Sequence, residues 1–329
     1  MRQKVLITGG SGFLGFHLIN AAVQNGYEVY AAVRTKSNIE HLKNLTVQYI
    51  GLNYENTEAL KEELSAKNYD YIIHAAGVTR AHTLQDYMHV NATYTSNLAK
   101  AAASLNGQVK KFVLISSLAA AGPLTGNEQL ITEENGEGPV TAYGQSKLQA
   151  EKNVAASGIP YIILRPTAIY GPRDKDLFLI SSSLQMGLDA YIGKAPQQLS
   201  FVHAADVAAA AVKSLMLPEA AGLFNIADGN NYSRYEFADI AKKVLNKKTF
   251  RMHLPVSMVR SVLFLVEALH KIRNKVPVVS REKLKELLAE NWGCDISKAK
   301  QQLGFSPKYN LQDGLEETIA WYKTNKWLK

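Results

Sequence analysis

A glycine-rich turn between an apolar run and an amphipathic run constrains this chain more than any other feature. VLIT at 5–8 leads into TGGSGFLG at 8–15, and helical periodicity follows over 13–25 until Gly26. Gly9, Gly12 and Gly15 stand three residues apart. In a strand-turn-helix unit the first two let the backbone turn tightly and bring N–H groups close to a pyrophosphate at the positive helix end. The third lets helix and strand approach each other. Further apolar runs follow: VYAAV at 29–33, YIIHAA at 71–76, FVLISS at 112–117 and YIILR at 161–165. Runs apolar on both faces suit buried parallel strands. Their alternation with amphipathic or alanine-rich stretches predicts an α/β chain with a Rossmann-type doubly wound parallel sheet, binding ligands at the carboxyl ends of its strands.

After residue 165 glycine, proline and polar residues become frequent, a strand-helix unit returns at 201–217, and helices dominate from 233. The expected organisation is an NADP-binding Rossmann domain of 1–165 plus 201–228 and a smaller, mostly helical substrate lobe of 166–200 plus 229–329. With 47% hydrophobic and 20% charged residues, the chain is neither disordered nor fibrous. Its net charge of +8 is uneven, because 242–329 holds 18 basic and 8 acidic residues. That concentration argues against a nucleic-acid binder. The single cysteine, Cys294, forms neither an internal bridge nor a cysteine metal cluster, so no metal is expected, and no basic-then-apolar leader precedes the first strand. A reducing, cytoplasmic setting is the expectation. The most apolar helix, at 256–272, is interrupted by Arg260 and Glu267 and is too short to span a bilayer. Two readings stay open for it: a core or lid helix of the small lobe, or a peripheral membrane contact beside Lys242, Lys243, Lys247, Lys248 and Arg251.

Cofactor choice is read at the end of the second strand. An acidic residue there holds the ribose 2′-OH of NAD, whereas a basic one accommodates the 2′-phosphate of NADP. The strand ends at Val33 and Arg34 with Lys36 nearby and no acidic residue, so NADP is preferred while NAD stays open. Asn53 sits where a polar side chain meets an adenine edge. Tyr143 and Lys147, four apart, share a helix face. An ammonium beside a phenol favours the phenolate and lowers its pKa, fitting Tyr143 to pass a proton during hydride transfer. Ser116 and Ser117 close the preceding strand at its carboxyl end.

With HAAG (74–77), VNATYTSNL (90–98), LRPTAIYGP (164–172), FVHAADVA (201–208), FNIADG (224–229) and CDISKAKQQLGFSP (294–307) in order, the whole chain resembles the extended short-chain dehydrogenase/reductase family, also called the NAD-dependent epimerase/dehydratase family. The resemblance implies that Tyr143 is the general acid/base, that Lys147 lowers its pKa and binds the nicotinamide ribose, and that Ser117 is the catalytic serine. It further implies cofactor contacts at Gly9, Gly12, Phe13, Leu14, Gly15, Arg34, Asn53, Ala75, Ala76, Gly77, Ser116, Pro166 and Ile169, with Asn91 ordering the site. His203 and Asp206 fit a fixed strand-helix turn. Nucleotide-sugar members carry an arginine where this chain has Leu199. The stretch AAVRTKSN (31–38) looks like the dihydroflavonol-reductase-like branch, and 256–272 like a helix of hydroxysteroid-dehydrogenase-like members. The implied activity is an NAD(P)-dependent oxidoreductase acting on a carbonyl/alcohol substrate by a Ser-Tyr-Lys mechanism. A nucleotide-sugar epimerase/dehydratase and a non-catalytic cofactor-binding regulator are the alternatives. Helices near 92–103 and 145–157 suit either a homodimer contact or close packing on their own sheet.

Overall fold

The computed structural model describes residues 2–126, 128–135, 137–217, 221–272, 276–277 and 280–328. The five apolar runs become β1 (Lys4–Thr8), β2 (Glu28–Ala32), β4 (Tyr71–His74), β5 (Lys111–Ile115) and β6 (Tyr161–Pro166), and the half-exposed β3 (Val47–Ile50) joins them. Shorter strands follow as β7 (Ala168–Tyr170), β8 (Leu188–Ile192), β9 (Gln198–Leu199) and β10 (Phe201–His203). The last three are β11 (Gly222–Ile226), β12 (Tyr232–Ser233) and β13 (Phe250–Leu254). The helices of the first half are α1 (Phe13–Gln24), α2 (Thr57–Lys67), α3 (Leu84–Tyr87), α4 (Tyr94–Ala103) and α5 (Ala142–Ala155). Those of the second half are α6 (Phe178–Gln185), α7 (Ala204–Leu215), α8 (Glu236–Leu245), α9 (Val256–Ile272), α10 (Arg281–Leu288), α11 (Ser297–Gln302) and α12 (Leu311–Thr324).

Seven strands form one sheet in the order β11-β6-β5-β4-β1-β2-β3, every neighbour parallel. The order reverses between β1 and β4, so the turns after these strands flank a crevice at their carboxyl ends. Strand alternation explains why both faces are apolar. Val5 and Ile7 of β1 join a core with Leu18 and Ile19 of α1 and Val207 and Ala211 of α7. Leu6, between them, points into the opposite core with Leu60 and Leu64 of α2 and Leu98, Ala99 and Ala102 of α4. The alanines of α4 are thus buried against their own sheet.

The unit at 201–217 divides its allegiance: α7 packs on the sheet, whereas β10 pairs in parallel with β7 outside it. A third core gathers Tyr170, Leu184, Phe201, Phe237, Leu315 and Tyr322. Cys294, Ile296, Leu303 and Phe305 return to the sheet's core. Helix α2 is capped by Asn56, whose Oδ1 accepts from the Glu58 and Ala59 amides at 3.0 and 3.1 Å.

Three histidines are buried as neutral rings. His74 bridges the hydroxyls of Thr8 (2.7 Å) and Thr95 (2.9 Å), and His17 Nε2 meets the Pro172 carbonyl at 3.0 Å. Burial pushes His17 down to about 4 and His74 and His203 down to about 3. In the unfolded chain the same rings take up protons below about 6.5. Stability therefore falls as the pH drops from about 6.5 toward 4, by about 1.4 kcal/mol per ring per pH unit. Asp174, raised by burial to about 6, binds its proton more readily when folded and offsets about one ring's share. Urea midpoints at pH 7 and pH 5 should show this loss; an unchanged midpoint would contradict the neutral rings.

Candidate functional site

The turn after β1 places backbone donors at the crevice. Gly9 has φ +72°, and a Cβ there would lie 2.7 Å from the Ala75 carbonyl oxygen; a Cβ on Gly15 would lie 2.2 Å from that of Gly9. Only hydrogen fits at either position. Gly12 is the N-cap of α1, which has no side-chain cap and no acidic residue in its first turn. The helix start therefore offers N–H groups and a positive dipole end that no side chain of its own neutralises, which fits the pyrophosphate of a dinucleotide. Thr8 fixes the opposite lip, its hydroxyl accepting from the Ala75 and Ala76 amides at 3.2 and 3.0 Å.

Across the crevice, α5 presents Tyr143, Lys147 and Glu151 on successive turns of one face. Glu151 forms a two-pronged ion pair with Arg165 of β6, Nε to Oε1 at 2.9 Å and Nη2 to Oε2 at 2.6 Å, and both side chains are buried. Ser116 Oγ also donates to Glu151. One turn nearer the cleft, Lys147 Nζ donates to the Ile115 carbonyl at 2.7 Å. Burial, opposed by Glu151, lowers its ammonium to about 8. Ser117 starts the 3-10 turn Leu118–Ala120, accepts from the Ala119 amide at 3.2 Å, and is hydrogen-bonded to Tyr143.

The phenol differs from the sequence expectation. Desolvation pushes Tyr143 up to about 12, with Ser117 opposing and the charge of Glu286 adding to the rise. The Lys147 ammonium, turned to the Ile115 carbonyl, does not overcome that burial.

Two further groups hold the site, and the sequence did not single them out. Glu286 of α10 accepts from the Thr141 hydroxyl at 2.6 Å, and Glu282 accepts from the Ala142 amide. Thr141 is the N-cap of α5, so two carboxylates from a distant helix complete the positive end of the helix that carries Tyr143. Their partners lie about 140 residues away, and no local pattern announces them. Glu151 did carry a signal, continuing the four-residue spacing of Tyr143 and Lys147.

Asn91 sits in a π-helical turn, Met88–Thr93, a widened turn often found at functional sites. Its amide accepts from the Val78 amide (2.8 Å) and donates to the Val78 carbonyl (3.0 Å) and Ser146 Oγ (2.9 Å). With these atoms committed, Asn91 positions the 77–78 loop against α5.

One cleft of about 2170 Å³ gathers Gly9, Gly12, Phe13, Leu14, Gly15, Ala75, Gly77 and Asn91 with Ser116, Ser117, Tyr143, Lys147, Pro166 and Ile169. Arg34, Asn53 and Ala76, expected as cofactor contacts, are not among the residues that line the cleft. Arg34 and Asn53 are exposed outside the cleft lining, Asn53 accepting from the Glu55 amide, and the Ala76 amide is taken by Thr8. Ser116 reaches the lining while its hydroxyl is held by Glu151. Leu199 also lines the cleft. Arg234 donates through Nη1 and Nη2 to the Ala195 and Ile192 carbonyls and Arg80 donates to Asp176, whereas the buried Nε atoms of Arg234 and of Arg173, which also lines the cleft, have no hydrogen-bond partner among the described residues. Among the described residues no group of three or more His, Cys, Asp or Glu could hold a metal ion.

A family model described as "NAD dependent epimerase/dehydratase family" matches residues 5–227. The chain is 29% identical to a ceramide reductase of Caulobacter vibrioides, over 99% of this chain and 96% of that one. It is also 29% identical to a UDP-glucose 4-epimerase of Vibrio cholerae, over 97% and 95%. Its fold matches that of a UDP-glucose 4-epimerase from Thermotoga maritima, solved with UDP-glucose, with a TM-score of 0.79 at 20% identity over 98% and 100% of the two chains.

The Glu151–Arg165 pair gives a stability test. Arg165→Met leaves a buried carboxylate uncompensated and should cost about 3–5 kcal/mol. Adding Glu151→Gln should recover much of that loss. Urea denaturation of the two variants measures both steps, and equal stability of Arg165→Met and the parent would refute the pinning role.

Proposed function

The chain belongs to the NAD dependent epimerase/dehydratase family, and from that premise we propose an oxidoreductase that moves a hydride between NADP(H) and the carbonyl or alcohol carbon of an apolar, lipid-like substrate. The observation that carries this reading is the convergence of Ser117, Tyr143 and Lys147 on one wall of a cleft whose other wall is the uncapped start of α1. When bound, NADP(H) supplies or accepts the hydride. Ser117 and Tyr143 hold the substrate oxygen through their hydroxyls. Tyr143 donates its proton to that oxygen in reduction and withdraws it in oxidation. A phenol raised to about 12 is fully protonated at neutral pH, ready to donate. Lys147, close by on the same face, stabilises the phenolate through its positive charge and binds the nicotinamide ribose in this reading.

The proposed division of labour assigns 1–165 plus 201–228 to the cofactor and 166–200 plus 229–329 to the substrate. NADP over NAD is favoured by the exposed Arg34, two residues beyond the end of β2, where no acidic side chain competes. An apolar substrate is favoured by Leu199 in the cleft and by the similarity to a ceramide reductase. Equal identity to a UDP-glucose 4-epimerase supports the second reading, a nucleotide-sugar epimerase. The buried thiol of Cys294 suits a reducing, cytoplasmic setting.

Thermal stabilisation by NADPH, NADH, a long-chain ketone and UDP-glucose, each added separately, distinguishes these readings. NADPH and the ketone should raise the melting temperature most; a response to UDP-glucose alone would overturn the substrate class. Tyr143→Phe should lower turnover by about 10²–10⁴-fold while NADPH still stabilises the protein. Glu286→Gln keeps an acceptor for Thr141 but removes a negative charge that disfavours the phenolate. The rising alkaline limb of the oxidation rate should therefore move to lower pH, and a limb that stays or moves upward would contradict the role given to Glu286.

A further inference from the structure

Helix α9 is apolar on two faces, and only one of them is used by the fold. Leu263 is buried, with Val259 and Val266 half-buried beside it. Met258, Val262, Leu265 and Leu269, spaced i, i+4, i+7 and i+11, form a second stripe, and each is 47–61% exposed. Burying such a stripe is worth far more than leaving it in water, and a large exposed apolar patch marks an interaction surface. Beside it, Arg260, Phe264 and Leu265 of α9 and Arg281 and Leu284 of α10 line a groove of about 530 Å³. Arg281 lies 5.1 Å from the centre of the Phe264 ring and pairs with Glu267 at 2.7 Å.

Charge identifies what covers the stripe. Residues 242–290 carry 12 basic and 4 acidic side chains, a surplus equal to the net charge of +8. Among the described residues, Lys242 and Arg251 pair with Asp189 and Asp239, Arg281 with Glu267 and Lys283 with Glu286, whereas the exposed Lys243, Lys247, Lys248, Arg260 and Lys285 pair with no acidic side chain. A second copy docking through the same face would bring two such patches together at a cost in repulsion. An anionic bilayer complements both the stripe and its charge. No helix among the described residues is long and apolar enough to cross a membrane, and α9, 17 residues and about 26 Å long, suits the plane of the interface.

We propose that α9 docks this chain onto the surface of an anionic phospholipid bilayer, with Met258, Val262, Leu265 and Leu269 entering the headgroup boundary. Glu267, on the opposite side of α9 from the stripe, lines the same cleft as Tyr143. One helix, about 10 Å thick, then separates lipid from cleft. The link to catalysis rests on the apolar-substrate reading above; the docking itself does not.

The test is co-sedimentation of the full chain with vesicles of phosphatidylcholine, alone or with phosphatidylglycerol added. Binding should require phosphatidylglycerol and weaken at high salt. Leu265→Glu/Leu269→Glu should reduce it by about tenfold or more while NADPH still stabilises the protein; Leu265→Gln/Leu269→Gln carries the test if the glutamates unfold the helix. Absence of the wild-type chain from the vesicle pellet would overturn the proposal, as would equal binding by the variants. A wild-type dimer that these variants split would overturn it too, assigning the stripe to a second copy. Vesicle binding without turnover of a long-chain ketone leaves docking in place and removes the substrate reading; turnover without vesicle binding does the reverse.

Discussion

The buried contact between Glu151 and Arg165 sets the register on which the rest of the site depends. It joins the third turn of α5 to the carboxyl end of β6, and the Ser116 hydroxyl adds the end of β5 to the same carboxylate. Removing two ions from water is costly, so the pair persists only with near-ideal geometry, which here includes two parallel prongs and a third donor. Once Glu151 is fixed, helical geometry decides what the preceding turns meet. Lys147 arrives at the Ile115 carbonyl and Tyr143 at Ser117, both at the sheet's carboxyl edge. A one-residue slip of α5 would rotate all three side chains by about 100° and dissolve the constellation.

The other end of α5 is held from outside the sheet. Glu282 and Glu286 belong to α10, which packs beside α9; Glu286 accepts from the N-cap Thr141 and Glu282 from Ala142, the first residue of α5. These contacts do two things at once. Both satisfy donors at the helix start, and Glu286 places negative charge near the Tyr143 phenol. A movement of α10 relative to the sheet therefore alters both the placement of Tyr143 and its readiness to release a proton, which couples the position of α10 to acidity with no change in the residues of the sheet.

The sequence disclosed what is local and withheld what is not. The doubly wound parallel sheet, the strand-turn-helix unit at Gly9 to Gly15 and the helical face shared by Tyr143 and Lys147 all follow from periodicity and spacing within a few residues. The acidity of Tyr143 did not, because spacing shows a neighbouring cation but not the desolvation that outweighs it. How far Asn53 and Arg34 stand from the cleft is likewise not a matter of spacing: both side chains are exposed and neither lines it. Glu282 and Glu286 look in sequence like any charges on an exposed helix. Their meaning comes from partners about 140 residues upstream.

Burial acts on the two titrating groups of α5 in opposite directions, and that opposition constrains the chemistry they suit. It raises the phenol to about 12 and lowers the ammonium to about 8, so each group resists its charged form. The desolvation that penalises each charge separately also strengthens the attraction between two opposite ones. A phenolate at Tyr143 and an ammonium at Lys147 are therefore more favourable together than either is alone. Any positive charge brought into the cleft beside them shifts the balance further toward phenolate, whereas the fixed carboxylate of Glu286 shifts it back. The proton on Tyr143 is in this way governed by what enters the cleft, and a hydroxyl so governed suits a reaction that must run in both directions near neutral pH.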